Sequence, residues 1–195
     1  METSKGQSTI THLDRTHLSA AISILADAFN NDPMMNYLFA PSISSYSRSL
    51  HEMFRFSCEV RLLLGWPLLG CWNSQNQLVG VAGLSLPGDA DWPPSLQQVY
   101  RELQTCIGEK SSGLMETYSR LADTNRPKEP HYQLGMIGID SKQQGHGYGG
   151  ELIKVLHGMS EDDPFSTGVW LDTENPRNVP WYQKYGYQNL NDEIR

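Results

Sequence analysis

The sequence predicts an α/β (α+β) domain, and three observations carry that expectation. Helix-like and strand-like apolar patterns succeed one another along 195 residues, a length sufficient for a full core. A strand-like run at 134–140 enters a glycine-rich turn, Gln144-Gly145-His146-Gly147-Tyr148-Gly149-Gly150, and a helix-like run at 151–159 leaves it. Finally, 38% hydrophobic with 19% charged residues is a globular rather than a disordered balance.

Leu18, Ile22, Leu25 and Phe29 recur at helical spacing behind two capping candidates, Asp14 and Thr16, which predicts a helix over 15–30 ended by Asp32-Pro33. A second helical pattern covers 47–64. Residues 66–72 and 78–86 read as two strands joined at 73–76, a hairpin. Four prolines or glycines among the eight residues 87–94 mark a loop, and helical patterns follow at 95–107 and 113–124. Residues 125–130, with two prolines, connect to the strand at 132–139. No internal repeat is present, and 1–195 reads as one domain.

Fifteen basic against 22 acidic residues give a net charge of −7. That balance argues against a nucleic-acid or anionic-membrane surface and favours a cationic amine as partner. Cys58, Cys71 and Cys106 stand far apart with no paired spacing, so neither a disulfide framework nor a zinc site is expected, and a metal is not called for. The first seven residues carry no apolar core of a signal peptide, and the apolar run at 62–69 is interrupted by Gly65 and Pro67. A cytoplasmic setting with no membrane span is the expectation.

The strand-turn-helix at 134–159 has the layout of a phosphate cradle. Glycines let the backbone approach a ligand, and the free N–H groups of the following helix face an anion with the helix dipole behind them. Two cradles fit the letters. Gly145, Gly147 and Gly150 satisfy the dinucleotide fingerprint, with Asp172 placed as its ribose carboxylate, which would make the chain an oxidoreductase. Only 45 residues follow Gly150, however, too few for the parallel sheet such a fold needs. The other reading is Gln-x-x-Gly-x-Gly, met by Gln144, Gly147 and Gly149.

That second pattern resembles the acyl-CoA loop of the GNAT N-acetyltransferases. The likeness continues at 172–187, where Asn175 stands seven residues before Tyr182 and a Gly186-Tyr187 pair follows. Within the family, His131-Tyr132-Gln133-Leu134 leading into 137–140, together with 176–182, is most similar to the puromycin N-acetyltransferase-like branch, and 28–33 looks like the end of that branch's first helix. Residues 40–125 carry no recognisable signature.

The resemblance implies a mixed, mostly antiparallel sheet, splayed where acyl-CoA enters and flanked by helices. It implies acetyl-CoA as cosubstrate, held by Ile137, Gly138 and Ile139 on the strand, by Gln144, Gly145, His146, Gly147, Tyr148, Gly149 and Gly150 in the loop, and by Asn175. Gln144 is expected to hydrogen-bond across the turn. Tyr182 is placed beside the sulfur, and its phenol, with a reference pKa of about 10, suits protonation of the departing thiolate. The bland alternative for Tyr182 is packing with Trp181, Tyr185 and Tyr187.

Transfer to an amine also needs a base, because a free alkylamine is protonated below a pKa of ~10. The strand 132–139 offers no carboxylate, so His131, Asp172 or Glu174 is left to act directly or through water; His131, at the mouth of the strand and of the residue type that titrates nearest neutral pH, is the catalytic candidate beside Tyr182, while Asp172 and Glu174 read as part of a strand-like run. Gly135 and Gly138 share this strand, which favours close approach of a ligand over a bulge or relief of crowding against a helix. Trp66, Trp72, Trp92 and Tyr100 offer either a pocket for an aromatic amine or core packing. The expected reaction is direct attack in a ternary complex on a small-molecule amine acceptor. A non-catalytic acyl-CoA sensor and a protein or peptide acceptor stay open beside it. Only eight residues follow Tyr187, where the family usually continues through a returning strand. That strand is therefore absent, removed, or supplied by a partner in a homodimer.

Overall fold

Alternating apolar residues feed two separate cores, one on each face of a five-stranded sheet. In the computed structural model, which describes residues 8–39, 45–88 and 90–190, the strands run β1 (Thr9–His12), β2 (Leu68–Trp72), β3 (Leu78–Ser85), β4 (Tyr132–Ile139) and β5 (Val169–Trp170). They lie side by side in sequence order; the first three pairings are antiparallel and only β4–β5 is parallel. That order overturns the dinucleotide reading, since a dinucleotide fold needs parallel strands joined by crossover helices around its glycine turn.

Helix α1 (Leu18–Ala28) and helix α3 (Tyr46–Leu64) cover one face, where Leu25, Leu38, Leu50, Phe54, Val81 and Met136 form the first core. Helix α5 (Tyr148–Glu161) covers the other, where Leu69, Ala82, Leu84, Leu134, Leu152, Ile153 and Leu156 form the second. β2 and β3 are buried on both faces, so they read as near-continuous apolar runs rather than as alternating ones.

One element differs from the sequence expectation for a physical reason, and another pair is joined more tightly than the sequence implied. Asp32-Pro33 ends the first helical pattern, but the same letters begin helix α2 (Pro33–Phe39): the Asp32 carboxylate accepts the N–H groups of Met34 and Met35 at 3.0 and 3.2 Å, and proline suits a first helical position. The helical patterns at 95–107 and 113–124 are both borne out, as the two helical halves of α4 (Pro94–Asn125) on either side of a break at Gly108 (φ 79°, ψ 167°). In a straight helix residues 104 and 116 would stand about 18 Å apart. Here the Gln104 amide reaches the Glu116 carboxylate at 3.5 Å, so the second half folds back on the first.

The register of β4 explains its two glycines. Gly83 pairs with Met136 but Leu84 pairs with Leu134, leaving Gly135 as the extra residue of a bulge. The bulge moves the side-chain alternation by one: Tyr132 and Leu134 before it and Ile137 and Ile139 after it all face the α5 side. A Cβ on Gly135 would lie 2.2 Å from Nη2 of Arg61. That buried guanidinium donates to the Leu84 and Ser57 carbonyls at 3.3 and 3.1 Å and to the Ser85 hydroxyl at 3.4 Å. A Cβ on Gly138 would lie 2.9 Å from Ala28 Cβ and 3.1 Å from Leu25 Cδ2, so the missing side chains of the two glycines admit α1 and Arg61 and not, as the sequence favoured, a ligand. Gly138→Val is therefore expected to destabilise the fold by roughly 1–3 kcal/mol through overpacking, read as a lowered denaturant midpoint at unchanged slope.

Candidate active site

The strand order places the end of β4 beside the start of α5, and the loop between them is built from its own side chains. The Asp140 carboxylate accepts the Lys142 N–H at 2.8 Å, and Asp27 of α1 accepts the Ser141 N–H at 3.0 Å. The Gln144 amide donates to the Ile139 carbonyl at 3.2 Å, closing the turn as the sequence suggested. Gly145 (φ 82°) and Gly147 (φ 90°) both lie in the left-handed region, and a Cβ at either would meet nothing within 4 Å. The space beside them is open.

Gly147 caps α5 without any side-chain cap, and the helical ladder begins with the Glu151 N–H bonded to the Gly147 carbonyl at 3.2 Å. The N–H groups of Tyr148, Gly149 and Gly150 precede that ladder and stand at the positive end of the helix dipole. Gly149 and Gly150 serve packing instead of turning: a Cβ there would lie 3.1 Å from Trp181 Cζ2 and 2.1 Å from Tyr185 Oη. Gly150→Ala should accordingly cost more stability than Ala at the open Gly145, where only backbone strain of about 1–2 kcal/mol is added; a melting comparison of the two variants checks this. His146 folds back on the loop, with Nδ1 3.1 Å from the Gln143 carbonyl and its ring stacked on Tyr148.

β5 leaves the sheet almost at once. It pairs with β4 only at Tyr132 and Gln133, so 134–139 has no strand on that side. The Asp140 N–H donates to the Val79 carbonyl at 3.0 Å. By antiparallel alternation Gly138 and Met136 also aim their backbone groups at β3, and Ile137 and Ile139 aim theirs into the opening. Of the three strand residues singled out from sequence, Ile137 and Ile139 thus present backbone to the gap, and Gly138 presents its to the ladder.

Across the gap, Asn175 shapes the entry to helix α6 (Val179–Gln183): its side-chain oxygen accepts the Arg177 N–H at 3.2 Å and its carbonyl accepts the Asn178 N–H at 2.9 Å. That turn fixes Tyr182, whose N–H bonds the Asn178 carbonyl at 3.0 Å. The Tyr182 ring sits edge-on to Trp181 and Tyr187, with centroids 4.9 and 5.5 Å away. Burial, then the charges of Asp172 and Asp32, push its phenol up to about 12, so Tyr182 stays neutral and can only donate a proton at physiological pH.

Tyr182 lines a cavity of about 750 Å³ together with His131, Trp170, Asp172, Glu174 and Tyr187. His131 stands at the paired end of β4, with Nδ1 2.7 Å from the Glu129 carbonyl and its ring against Trp170. That bond assigns the proton to Nδ1 and leaves Nε2 as the basic nitrogen. Asp172 and Glu174 lie beyond the two-residue β5, not within a strand, and both carboxylates meet the hydroxyl of Tyr118 on α4, Glu174 at 2.5 Å. Burial pushes the Glu174 carboxyl above its ordinary range, although the residue as a whole is exposed; Asp172 and Asp32 add to the rise and the Tyr118 bond opposes it.

Sequence reasoning missed Tyr118 and Asp32. Neither sits in a motif: Tyr118 reaches Asp172 and Glu174 only because α4 folds back at Gly108, and Asp32 read as a helix stop. The tryptophans offered as a pocket lie elsewhere. Trp92 and Tyr100 pack with Phe56, and Trp72 bonds Thr11 with His17 edge-on to it.

Known proteins share this fold. The chain is 24% identical over 180 residues to an uncharacterised N-acetyltransferase of Schizosaccharomyces pombe, covering 86% of this chain and 69% of that one. Its fold is similar to that of a protein from Corynebacterium glutamicum described as histone acetyltransferase HPA2 and related acetyltransferase, with a TM-score of 0.67 at 20% identity over 95% and 90% of the two chains. An aminoglycoside N-acetyltransferase solved in complex with CoA superposes with a TM-score of 0.54 at 13% identity, over 97% and 93%. The model of the acetyltransferase (GNAT) family matches residues 32–187, from the cap of α2 through Tyr187, and the chain belongs to that N-acetyltransferase family.

Proposed function

We propose that this protein is a cytoplasmic N-acetyltransferase of one domain over 1–195 that transfers the acetyl group of acetyl-CoA to a primary amine of a small molecule, by direct attack in a ternary complex. The observation that carries this reading is the early separation of β5 from β4, which leaves the backbone of Ile137 and Ile139 facing a gap, with the glycine loop following on the same strand's end and Tyr182 packed against the same core cluster as the Ile137 and Ile139 side chains. Acetyl-CoA would lie with its pyrophosphate at 144–150, against the first N–H groups of α5, and with its thioester in the gap. The backbone groups of Ile137 and Ile139 would orient the thioester and hydrogen-bond its developing oxyanion.

Glu174 takes a proton from the acceptor ammonium, and the amine nitrogen attacks the thioester carbon. As the C–N bond forms and the C–S bond breaks, the thiolate takes a proton from Tyr182, and the proton left on nitrogen returns to the Tyr182 oxygen as the amide forms. Against a free thiol of pKa about 8.5, a phenol at about 12 would be a poor donor. The thiolate, however, forms in the same desolvated place. Cys58 shows what burial does to sulfur in this protein: its thiol is pushed up to about 12. Burial acts in the same direction on the phenol and the thiol, so it narrows the gap between a free thiol and this donor.

A second reading of the base is His131, favoured by its anchored Nδ1 and its place on the same cavity wall. Glu174→Gln and His131→Gln separate the two, the base being the one whose loss removes the low-pH limb of kcat/KM. Initial rates of thiol release with acetyl-CoA and a panel of primary amines test the reading itself. Intersecting double-reciprocal lines and an N-acetylated product are expected, whereas thiol release that needs no amine, or parallel lines, contradicts direct transfer.

A further inference from the structure

Tyr118 has no place in the transfer just described, yet it ties the folded-back half of α4 to Asp172 and Glu174, which line the cavity beside Tyr182. Its hydroxyl meets one oxygen of Asp172 and, at 2.5 Å, Oε1 of Glu174. Proton counting decides what this arrangement can do. A phenol has one hydrogen, so it can donate to only one of two carboxylates at a time. Two anionic carboxylates on one hydroxyl are therefore short of one hydrogen.

The missing hydrogen has a ready place. If Glu174 is protonated, its O–H donates to the Tyr118 oxygen and the Tyr118 O–H donates to Asp172, so every contact of the cluster becomes a hydrogen bond. The same cavity wall carries Tyr182, and the other charged group acting on Glu174 is Asp32, from the turn before α2. Tyr118 itself stays protonated, held so by burial and by the two carboxylates, and thus bridges without giving up its own hydrogen.

We propose that Tyr118 is a positioning residue for the base: it holds Asp172 and Glu174 on one hydroxyl, so that a proton leaving the acceptor ammonium is received on Glu174 and delocalised over the three groups. This rests on the N-acetyltransferase reading above. The step balances, with one N–H bond broken on the ammonium, one O–H bond formed on Glu174, and no other proton changing owner; the Tyr118 hydrogen is shared and not transferred. The sign of its effect follows from the bond. With Glu174 ionised the Tyr118 O–H donates to its carboxylate, a charge-assisted bond stronger than the neutral one a protonated Glu174 makes to the Tyr118 oxygen, so on balance the hydroxyl holds the Glu174 pKa down; its loss raises that pKa and moves the low-pH limit of activity to higher pH.

Two measurements on purified full-length protein and its Tyr118→Phe variant decide the matter. The first needs no ligand: a carboxyl-carbon NMR titration of glutamate-labelled protein, with Glu174→Gln to assign the signal. Glu174 should titrate above the usual glutamate range in the wild type and higher still in Tyr118→Phe. The second is kcat/KM against pH for acetyl-CoA with phenethylamine as probe. The low-pH limb should move upward in the variant, with a loss of roughly 10- to 100-fold at neutral pH and unchanged acetyl-CoA affinity. Coincident Glu174 titrations in the two proteins, or a uniform loss at every pH, would overturn the role of Tyr118. Absence of acetyl transfer by the wild type to any amine would instead sink the underlying reading, and the ligand-free titration would still judge the cluster on its own.

Discussion

Tyr182→Phe is expected to lower kcat by about 100-fold while leaving the acetyl-CoA Kd within about twofold. The ring is held edge-on between Trp181 and Tyr187, and a phenylalanine keeps those contacts. Only the hydroxyl is lost, and with it the proposed donor to the thiolate. The partition between kcat and Kd is the informative part. A core tyrosine would lose stability and leave kcat alone, so equal turnover by a folded variant would reduce Tyr182 to packing. Because its phenol lies near 12, the wild type should also show no loss of Tyr182 function through pH 9, where a free phenol begins to ionise. A descending limb below pH 9 that vanishes in Tyr182→Phe would contradict that environment.

Gly147→Trp should abolish acetyl-CoA binding, weakening it by more than about 100-fold, with the fold retained. No atom lies within 4 Å of the position a Cβ would take, so the indole displaces no core residue. It would fill the open space ahead of the Tyr148, Gly149 and Gly150 N–H groups. The left-handed backbone at φ 90° adds strain of about 1–2 kcal/mol, small enough for melting to remain cooperative. Calorimetric titration and a melting curve on the same preparation check both halves. Normal affinity in a folded variant would remove the loop from the binding site.

The parts legible in the sequence are those whose chemistry is local. The loop could be read because a turn that needs positive φ and an unobstructed approach must use glycine, as at Gly145 and Gly147. Tyr182 could be read because Asn175 sets the turn that carries it, so their spacing is a property of one short segment. Hydrophobic period located α1, α3, both strands of the hairpin and β4 to within a few residues.

The parts that escaped depend on distant contacts. Strand β1 is four residues long, with one hydroxyl bond to Trp72 and a backbone ladder to β2, and nothing in Thr9–His12 announces it. Gly138 carries the same letter as the loop glycines but answers to Ala28 and Leu25, more than a hundred positions earlier. The bulge at Gly135 records where Arg61 sits, not a local preference. Tyr118 reaches Asp172 and Glu174 across more than fifty residues because Gly108 reverses a helix whose period alone reads as two ordinary segments.

The central claim, that the gap between β4 and β5 and the glycine loop ahead of α5 form an acetyl-CoA site, is tested most directly by calorimetric titration of the protein with acetyl-CoA and, separately at equal concentration, with NAD. Binding of acetyl-CoA in the micromolar range with no heat from NAD is the predicted result. Binding of NAD without acetyl-CoA, or of neither, would contradict it.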